Sequence, residues 1–122
     1  MTALQDIAGQ LTVTNILPTA ARTATANGTG VDAQALRGRG LLILDSAAGT
    51  GTSPTLDLKL QDSADNSSFA DIAGATFTQV INAASRQTLA VNLDGARRYV
   101  RAVSTIGGTS PSFTFSLNLV SL

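Results

Sequence analysis

The sequence predicts an all-β, single-domain antiparallel β-sandwich of jelly-roll or immunoglobulin-like type, with about seven or eight strands. Apolar stretches in which hydrophobic and polar residues alternate predict the strands, and clusters of Gly, Asn, Asp and Ser between them predict the turns. A chain of 122 residues is long enough for one domain that buries its own core. We expect residues 1–9 to be an N-terminal arm or flexible terminus, and residues 10–122 to form the sandwich.

The first third of the chain predicts one strand and then irregular structure. Residues 10–17 are rich in β-branched and aliphatic side chains and predict a strand that ends at Pro18. Residues 19–30 are small, polar and punctuated by Gly, which predicts a loop or an irregular edge segment. Residues 31–37 are too short for a stable helix, although Asp32 could cap a single turn, and we expect them to be extended.

A buried central strand is predicted next. The run Leu41–Leu44 is continuously aliphatic, which predicts a strand with both faces buried. Residues 46–54, with the sequence SAAGTGTSP, predict a flexible connection to the following strand.

The clearest strand of the chain is one-sided. Leu56, Leu58 and Leu60 alternate with polar residues, so one face should meet the core and the other should meet water. Residues 62–68 follow as a polar turn whose Asp, Asn and Ser side chains can bond the turn backbone. Phe77 is expected to point inward from the next extended segment.

The remainder of the chain predicts strands in quick succession. They cover residues 75–81, 86–93, 97–106 and 113–119, with turns at residues 82–85, 94–95 and 107–112.

The composition argues against most chemistry. The chain has no His and no Cys, so the commonest general base, the thiolate nucleophile and the usual metal ligands are missing. Eight acidic and eight basic residues balance, so no net attraction to nucleic acid is expected. No apolar run is long enough to span a membrane, and no secretory signal is evident at the N-terminus. We therefore expect a non-enzymatic protein without a cofactor, a nucleic-acid partner or a membrane partner.

Two charged clusters could still carry a site. Asp57, Asp62, Asp65 and Asp71 lie close in sequence, but their spacing does not match the calcium-loop pattern, which favours a hydrogen-bonded polar turn. Lys59 alternates outward and is expected to be solvated.

The second cluster contains Arg97, Arg98 and Arg101. Arg97 and Arg101 share a strand face while Arg98 points the other way. We expect these side chains to form ion pairs with Asp residues or to take part in an intersubunit contact rather than to bind an anion.

Five segments also carry a resemblance. They are Gly30-Val31-Asp32, Leu41–Leu44, LKLQDSADNSSFADI (residues 58–72), LDGARRYVRAV (residues 93–103) and GTSPSFTFSLNLV (residues 108–120). In this order they resemble a family of small virion proteins of tailed bacteriophages, whose most telling segments are similar to LQ-S-D-G/N-S-x-F and G-x-x-R-Y-V-R. The resemblance covers residues from about 30 to 120. Ala64-Asp65-Asn66 departs from it, because an acid pair and Gly would be expected there.

The resemblance implies a capsid decoration (cement) protein that docks on the outside of the major capsid protein lattice. It implies assembly into a homo-oligomer, with a trimer as first choice and a dimer as second, located on the virion after synthesis in the host cytoplasm. The alternative is a phage tail or neck component or a host-receptor-binding module.

Apolar and Arg side chains are enriched at protein interfaces. On that ground the candidate partner-binding residues are Leu4, Ile7, Arg22, Arg39 and Arg101.

Overall fold

The computed structural model describes residues 12–34, 38–93 and 96–121. These residues form antiparallel β-strands joined by turns, which confirms the all-β prediction and the predicted number of strands. The strands are β1 (Thr12–Arg22), β2 (Ala26–Asn27), β3 (Val31–Asp32), β4 (Arg39–Ser46), β5 (Thr50–Ser63), β6 (Ala70–Thr76), β7 (Ser85–Asn92) and β8 (Tyr99–Ser121). No helix that could cross a membrane is found in this part of the chain.

The strands belong to four long segments of chain that lie side by side, namely β1 to β3, β4 with β5, β6 with β7, and β8. β8 is the central segment, and β1, β2 and β3 follow one another along one of its edges, from Ser121 back to Tyr99. β4 and β5 follow one another along its opposite edge in the same direction. β7 and β6 pair in turn with β4 and β5 and form the far edge of the sheet.

Each segment bends near its middle, so the sheet folds into two layers. The first layer contains β1, the C-terminal half of β8, β4 and β7, in that order. The second layer contains β2 and β3, the N-terminal half of β8, β5 and β6. β8 passes from one layer to the other, which makes it the element that holds the layers in register.

One core lies between the layers and receives side chains from both of them. Leu56, Leu58 and Leu60 of the second layer are at most 1% exposed, as their alternation predicted. Phe77 is 5% exposed and also points inward, although β6 ends one residue before it. The first layer contributes Leu42, Leu44, Val91, Leu93, Phe113, Phe115, Leu117 and Leu119 to the same cluster.

The predicted turn at residues 107–112 is wrong, because β8 continues through it as a single strand of 23 residues. Its buried positions are even-numbered before the bend, as at Val100 and Ala102, and odd-numbered after it, as at Phe113 and Phe115. This change of phase keeps the same side of the strand on the core in both layers. The Gly, Ser and Pro residues that predicted a turn form an irregular bend instead.

The same bend extends the neighbouring strand. Residues 46–54 were predicted as a flexible connection, but β5 begins at Thr50 and pairs with β8 through two register shifts. Gly51 and Gly108 have φ angles of 102° and 114°, a region that disfavours side chains. A Cβ atom at Gly51 would lie 2.5 Å from the carbonyl oxygen of Ser110, so the two backbones cross in contact here.

Two other boundaries also differ from the prediction. β1 does not end at Pro18 but reaches Arg22, because Pro18 lies at a register shift of an edge strand, where its missing N–H is not required. The second extended segment of the Asp-rich hairpin is β6 at residues 70–76 rather than 75–81. The predicted turn at residues 94–95 lies outside the described residues.

Candidate docking surface

Four apolar side chains form a line across the outward face of the first layer. The strand register places Val13 opposite Val120, Val120 opposite Leu41, and Leu41 opposite Ala90. We call these four residues the outer apolar row. Val13 is 66% exposed and Leu41 is 40% exposed, so the row offers apolar surface to water on the side opposite the core.

The outer apolar row corrects the prediction for the run Leu41–Leu44. Leu42 and Leu44 are fully buried, but Leu41 is exposed and Ile43 is only half-buried. The reason is that the first layer is covered on one face only, by the second layer, among the described residues. β4 is nevertheless central within its layer, because β8 and β7 flank it.

Polar side chains lie on both sides of the row, and the half-buried Ile43 lies between two of them, Asn118 and Thr88. Arg39 lies two residues before Leu41 on the same outward face and is opposite Asn92. On the other side, the amide of Asn15 donates to the Asn118 side chain at 2.8 Å. An apolar centre with a polar border is typical of protein-binding surfaces.

Arg39 is the candidate residue that the structure places beside the outer apolar row. It is exposed, and no ion pair to it is found among the described residues. Together with Ala90, Val91 and Asn92 it lines a shallow depression of about 220 Å³. Arg39 can therefore supply hydrogen-bond donors to a partner that covers the row.

Arg101 is held by its own chain on the outward face of the second layer. Its Nε donates to Gln61 Oε1 at 3.0 Å, and its guanidinium carbon lies 4.0 Å from the centre of the Phe69 ring. Gln61 in turn donates to Asp71 at 2.8 Å, and Lys59 pairs with Asp71 at 3.1 Å. A hydrogen bond from Gln61 and, as a smaller effect, one from Lys59 lower the pKa of Asp71. These contacts make Arg101 part of a surface network that links β8, β5 and β6.

Arg22 also has a structural role. Its guanidinium carbon is 4.6 Å from the centre of the Phe115 ring, and it donates to the carbonyl oxygens of Pro18, Ala20 and Phe115 at 2.8–3.2 Å. Partial burial lowers the pKa of this guanidinium. Arg22 thus fixes the irregular end of β1 against β8.

The candidate residues are not brought together. Arg22 lies opposite Phe113 of β8, whereas Arg39 lies next to Gly40, which is opposite Ser121 of β8. Roughly 25 Å of strand therefore separates Arg22 from Arg39. Arg101 belongs to the other layer, and Leu4 and Ile7 lie outside the described residues. Val13, Val120, Leu41 and Ala90 were missed, because they become neighbours only through cross-strand register.

The clustered carboxylates have separate partners. Asp62, 8% exposed, accepts from the backbone N–H and the guanidinium of Arg97, with a shortest ion-pair distance of 3.0 Å. Asp32 pairs with Arg98 at 2.9 Å, which lowers the pKa of Asp32 and raises that of Arg98. The expected ion pairs of the Arg cluster are therefore confirmed for Arg97 and Arg98.

Asp65 organises the polar turn between β5 and β6. Its Oδ1 atom accepts the backbone N–H groups of Ser67 and Ser68, at 2.9 and 3.0 Å, and the hydroxyl of Ser63 at 2.9 Å. The bonds from Ser68, Ser67 and Ser63 lower the pKa of Asp65 to about 2. No group of His, Cys, Asp or Glu residues arranged to hold a metal ion is found in the described ranges.

No family model and no curated protein matches the chain. Solved structures do match. The SPBc2 prophage-derived protein YomS is 14% identical, with a TM-score of 0.52, and the match covers 91% of this chain and 93% of YomS. The PBSX exported protein XepA is 18% identical, with a TM-score of 0.57, and the match covers 90% of this chain but only 36% of XepA. The chain therefore shares its fold with both proteins, and it spans about a third of the length of XepA.

Proposed function

We propose that this chain is a bacteriophage structural protein, without enzymatic activity, that docks on the outer surface of the capsid lattice and stabilises it. The resemblance of five segments to virion proteins supports the phage assignment. The shared fold with a prophage-derived protein, over nearly the full length of both chains, agrees with it.

The outer apolar row carries the proposal. It is a line of outward-facing apolar side chains across all four strands of the first layer, exposed at Val13, Leu41 and Ala90 and half-buried at Val120, with Arg39 beside it. The described charged side chains elsewhere are mostly engaged within the chain, as Arg97 and Arg98 are. The row contains two of the three large hydrophobic side chains that are exposed among the described residues, so a partner that covers it would gain by excluding water.

The fold suits such a role. The two layers share one core and are joined by strands that run through the bend, so the domain presents a rigid surface. An interface of roughly 800 Å² per partner is usual for specific binding. Contacts of that size, repeated over a lattice, stabilise a shell through multivalency even when each contact is weak. The partner we propose is the major capsid protein, and the protein would work on the virion surface.

The test is binding to capsids of the encoding phage that were assembled without this protein. Leu41→Glu places a charge in the centre of the outer apolar row, and docking would remove that charge from water. We expect binding to capsids to weaken at least about tenfold, which corresponds to about 1.4 kcal/mol. Sedimentation of labelled protein with capsids measures this.

Thr114→Glu is the matched control. Thr114 is exposed and points outward from the same layer, roughly 20 Å along β8 from Val120. We expect it to bind capsids as the wild-type protein does, while thermal unfolding verifies that both variants are folded. Equal binding by Leu41→Glu and wild type would rule out the outer apolar row as the docking surface.

A tail, neck or receptor-binding role is the second candidate. The scarcity of aromatic residues, 4% of the chain, gives few rings on which a host sugar could stack. We therefore rank it below capsid docking, and the location of the protein on the virion separates the two.

A further inference from the structure

β7 is a regular strand at the edge of the first layer. It pairs with β4 through eight consecutive residues, from Arg39 opposite Asn92 to Ser46 opposite Ser85, without a register shift. No strand pairs with its other side among the described residues. Such an edge is a template for another strand, because its backbone N–H and C=O groups lack strand partners.

The other edge strands are interrupted in ways that discourage such pairing. β1 contains Pro18 and two register shifts. β2 and β3 have two residues each, and β6 has a register shift against β5 and a glycine, Gly74, with a φ angle of 77°. β7 has neither Pro nor Gly, and its sequence SRQTLAVN contains one charge, at Arg86. Proteins commonly blunt edges that must stay unpaired, and β7 is not blunted.

The hydrogen-bond phase identifies the available groups. The N–H of Leu93 donates to the carbonyl oxygen of Gly38, which fixes odd-numbered residues of this segment as those whose backbone faces β4. The backbone groups of Arg86, Thr88 and Ala90 therefore face away from β4, and the three side chains are exposed.

We propose that β7 pairs with β7 of a second copy of this chain, antiparallel, about a two-fold axis at Thr88. This register places Thr88 opposite Thr88 of the second copy and Arg86 opposite Ala90 of the second copy. Each of the three residues then exchanges N–H···O bonds with its opposite residue. In a contact about a two-fold axis, the same residues of both copies must pair with each other. The three available residues meet this condition, because Arg86 and Ala90 lie at equal distances on either side of Thr88.

The charges fit a second copy as well. Like charges directly opposite each other destabilise paired strands, and this register avoids them because Arg86 faces Ala90. Arg86 also keeps its ion pair with Asp45 of its own chain, at 3.2 Å. A chain with no net charge adds no long-range repulsion between copies.

Pairing would join the first layers of two copies into one continuous sheet. The two-fold axis of an antiparallel strand pair is perpendicular to the sheet, so both outer apolar rows would lie on the same side. If the proposed function is correct, the dimer would dock on the capsid through two linked surfaces and gain avidity. The pairing itself does not depend on that function, and it favours a dimer over the trimer that the resemblance implies.

A single cysteine tests the register, since the chain has none of its own. In Thr88→Cys, the two Cα atoms of the dimer would be about 5.5 Å apart, within disulfide range. In the control Ala90→Cys, on the same edge, the two cysteines would be offset by four residues, or about 13 Å. Under mild oxidation of dilute protein, we expect Thr88→Cys to form a covalent dimer at least ten times faster than Ala90→Cys. Equal rates would overturn the proposed register.

Light scattering without capsids tests the pairing. The wild-type protein and Thr88→Val should be dimers, while Thr88→Pro should be a monomer because Pro removes the outward N–H. Thr88 makes no backbone bond to β4 through that N–H, and circular dichroism verifies the fold. A monomeric or trimeric wild-type protein would overturn the pairing. A monomer is also the result expected if β7 pairs with a strand of another protein instead of a second copy. Neither result depends on Leu41 or on capsid binding.

Discussion

Asp62 is the one buried carboxylate among the described residues, and it is satisfied by a single neighbour. Arg97 donates its backbone N–H, Nε and Nη2 to the two oxygens of this carboxylate, and it donates also to the Asp62 carbonyl oxygen. The sequence predicted ion pairs with Asp residues or an intersubunit contact for the Arg cluster, because Arg97 and Arg101 share a strand face while Arg98 points the other way. It could not predict which Asp residue would be buried, because that depends on where β5 meets the start of β8.

Removing this carboxylate should cost stability. Asp62→Ala leaves the Arg97 backbone N–H and guanidinium without their acceptor, and we expect a loss of about 2 kcal/mol in the free energy of unfolding. The exposure of Arg97, 44%, keeps the loss below that of a fully buried pair. Urea denaturation measures it. The control is Asp45→Ala, which removes an exposed ion pair with Arg86 and should change stability by less than about 0.5 kcal/mol. Equal losses in the two variants would contradict this account of Asp62.

The Asp65 turn predicts a pH dependence. Its pKa is about 2 in the folded chain and near the ordinary 3.8 when unfolded. A carboxyl whose folded pKa is depressed adds stability above its unfolded pKa, and this contribution is lost as the pH falls from about 4 towards about 2. We therefore expect stability to decline over that range, and Asp65→Asn to decline less steeply. Thermal unfolding at a series of pH values measures both slopes. Identical slopes would show that Asp65 is not held by the turn.

At the scale of elements, the bend decides how the sheet folds. Glycines at 51 and 108 allow two backbones to cross where side chains would collide with carbonyl oxygens. The one-sided alternation of Leu56, Leu58 and Leu60 was sufficient to predict a strand and its buried face. The bend was not predictable, because Gly, Ser and Pro residues are used alike in hairpin turns and in irregular strands. Only the partner strand decides between the two.

Gly51→Ala tests the bend. A methyl group there would approach the carbonyl oxygens of Ser110 and Thr109 to 2.5 and 2.6 Å, on a backbone whose φ angle is 102°. We expect a loss of about 3 kcal/mol or more, because the steric clash adds to a conformational strain of about 1–3 kcal/mol. In the control Gly74→Ala, the φ angle is 77° but no atom lies within 4 Å of the added methyl group. The free energy of unfolding should therefore fall only by the conformational strain, without a contribution from a steric clash. Chemical denaturation compares the two, and a smaller effect at Gly51 would contradict the close crossing.

At the scale of the whole molecule, the folded sheet separates three regions that the sequence could not distinguish. The core lies between the layers, the outer apolar row lies on the outward face of the first layer, and β7 lies at its edge. The run Leu41–Leu44 led to the prediction of a strand buried on both faces, because an aliphatic residue signals burial without saying against what. The exposed Leu41 is explained if the outward face is covered by a partner.

Location on the virion tests the central proposal most directly. Cryo-electron microscopy would compare capsids of the encoding phage with and without this protein, using Leu41→Glu as a third sample. We predict added density on the outer surface of the head with the wild-type protein, contacting the capsid through the first layer, and its loss with Leu41→Glu. Density on the tail or neck, or heads that look the same with and without the protein, would contradict a capsid-docking function.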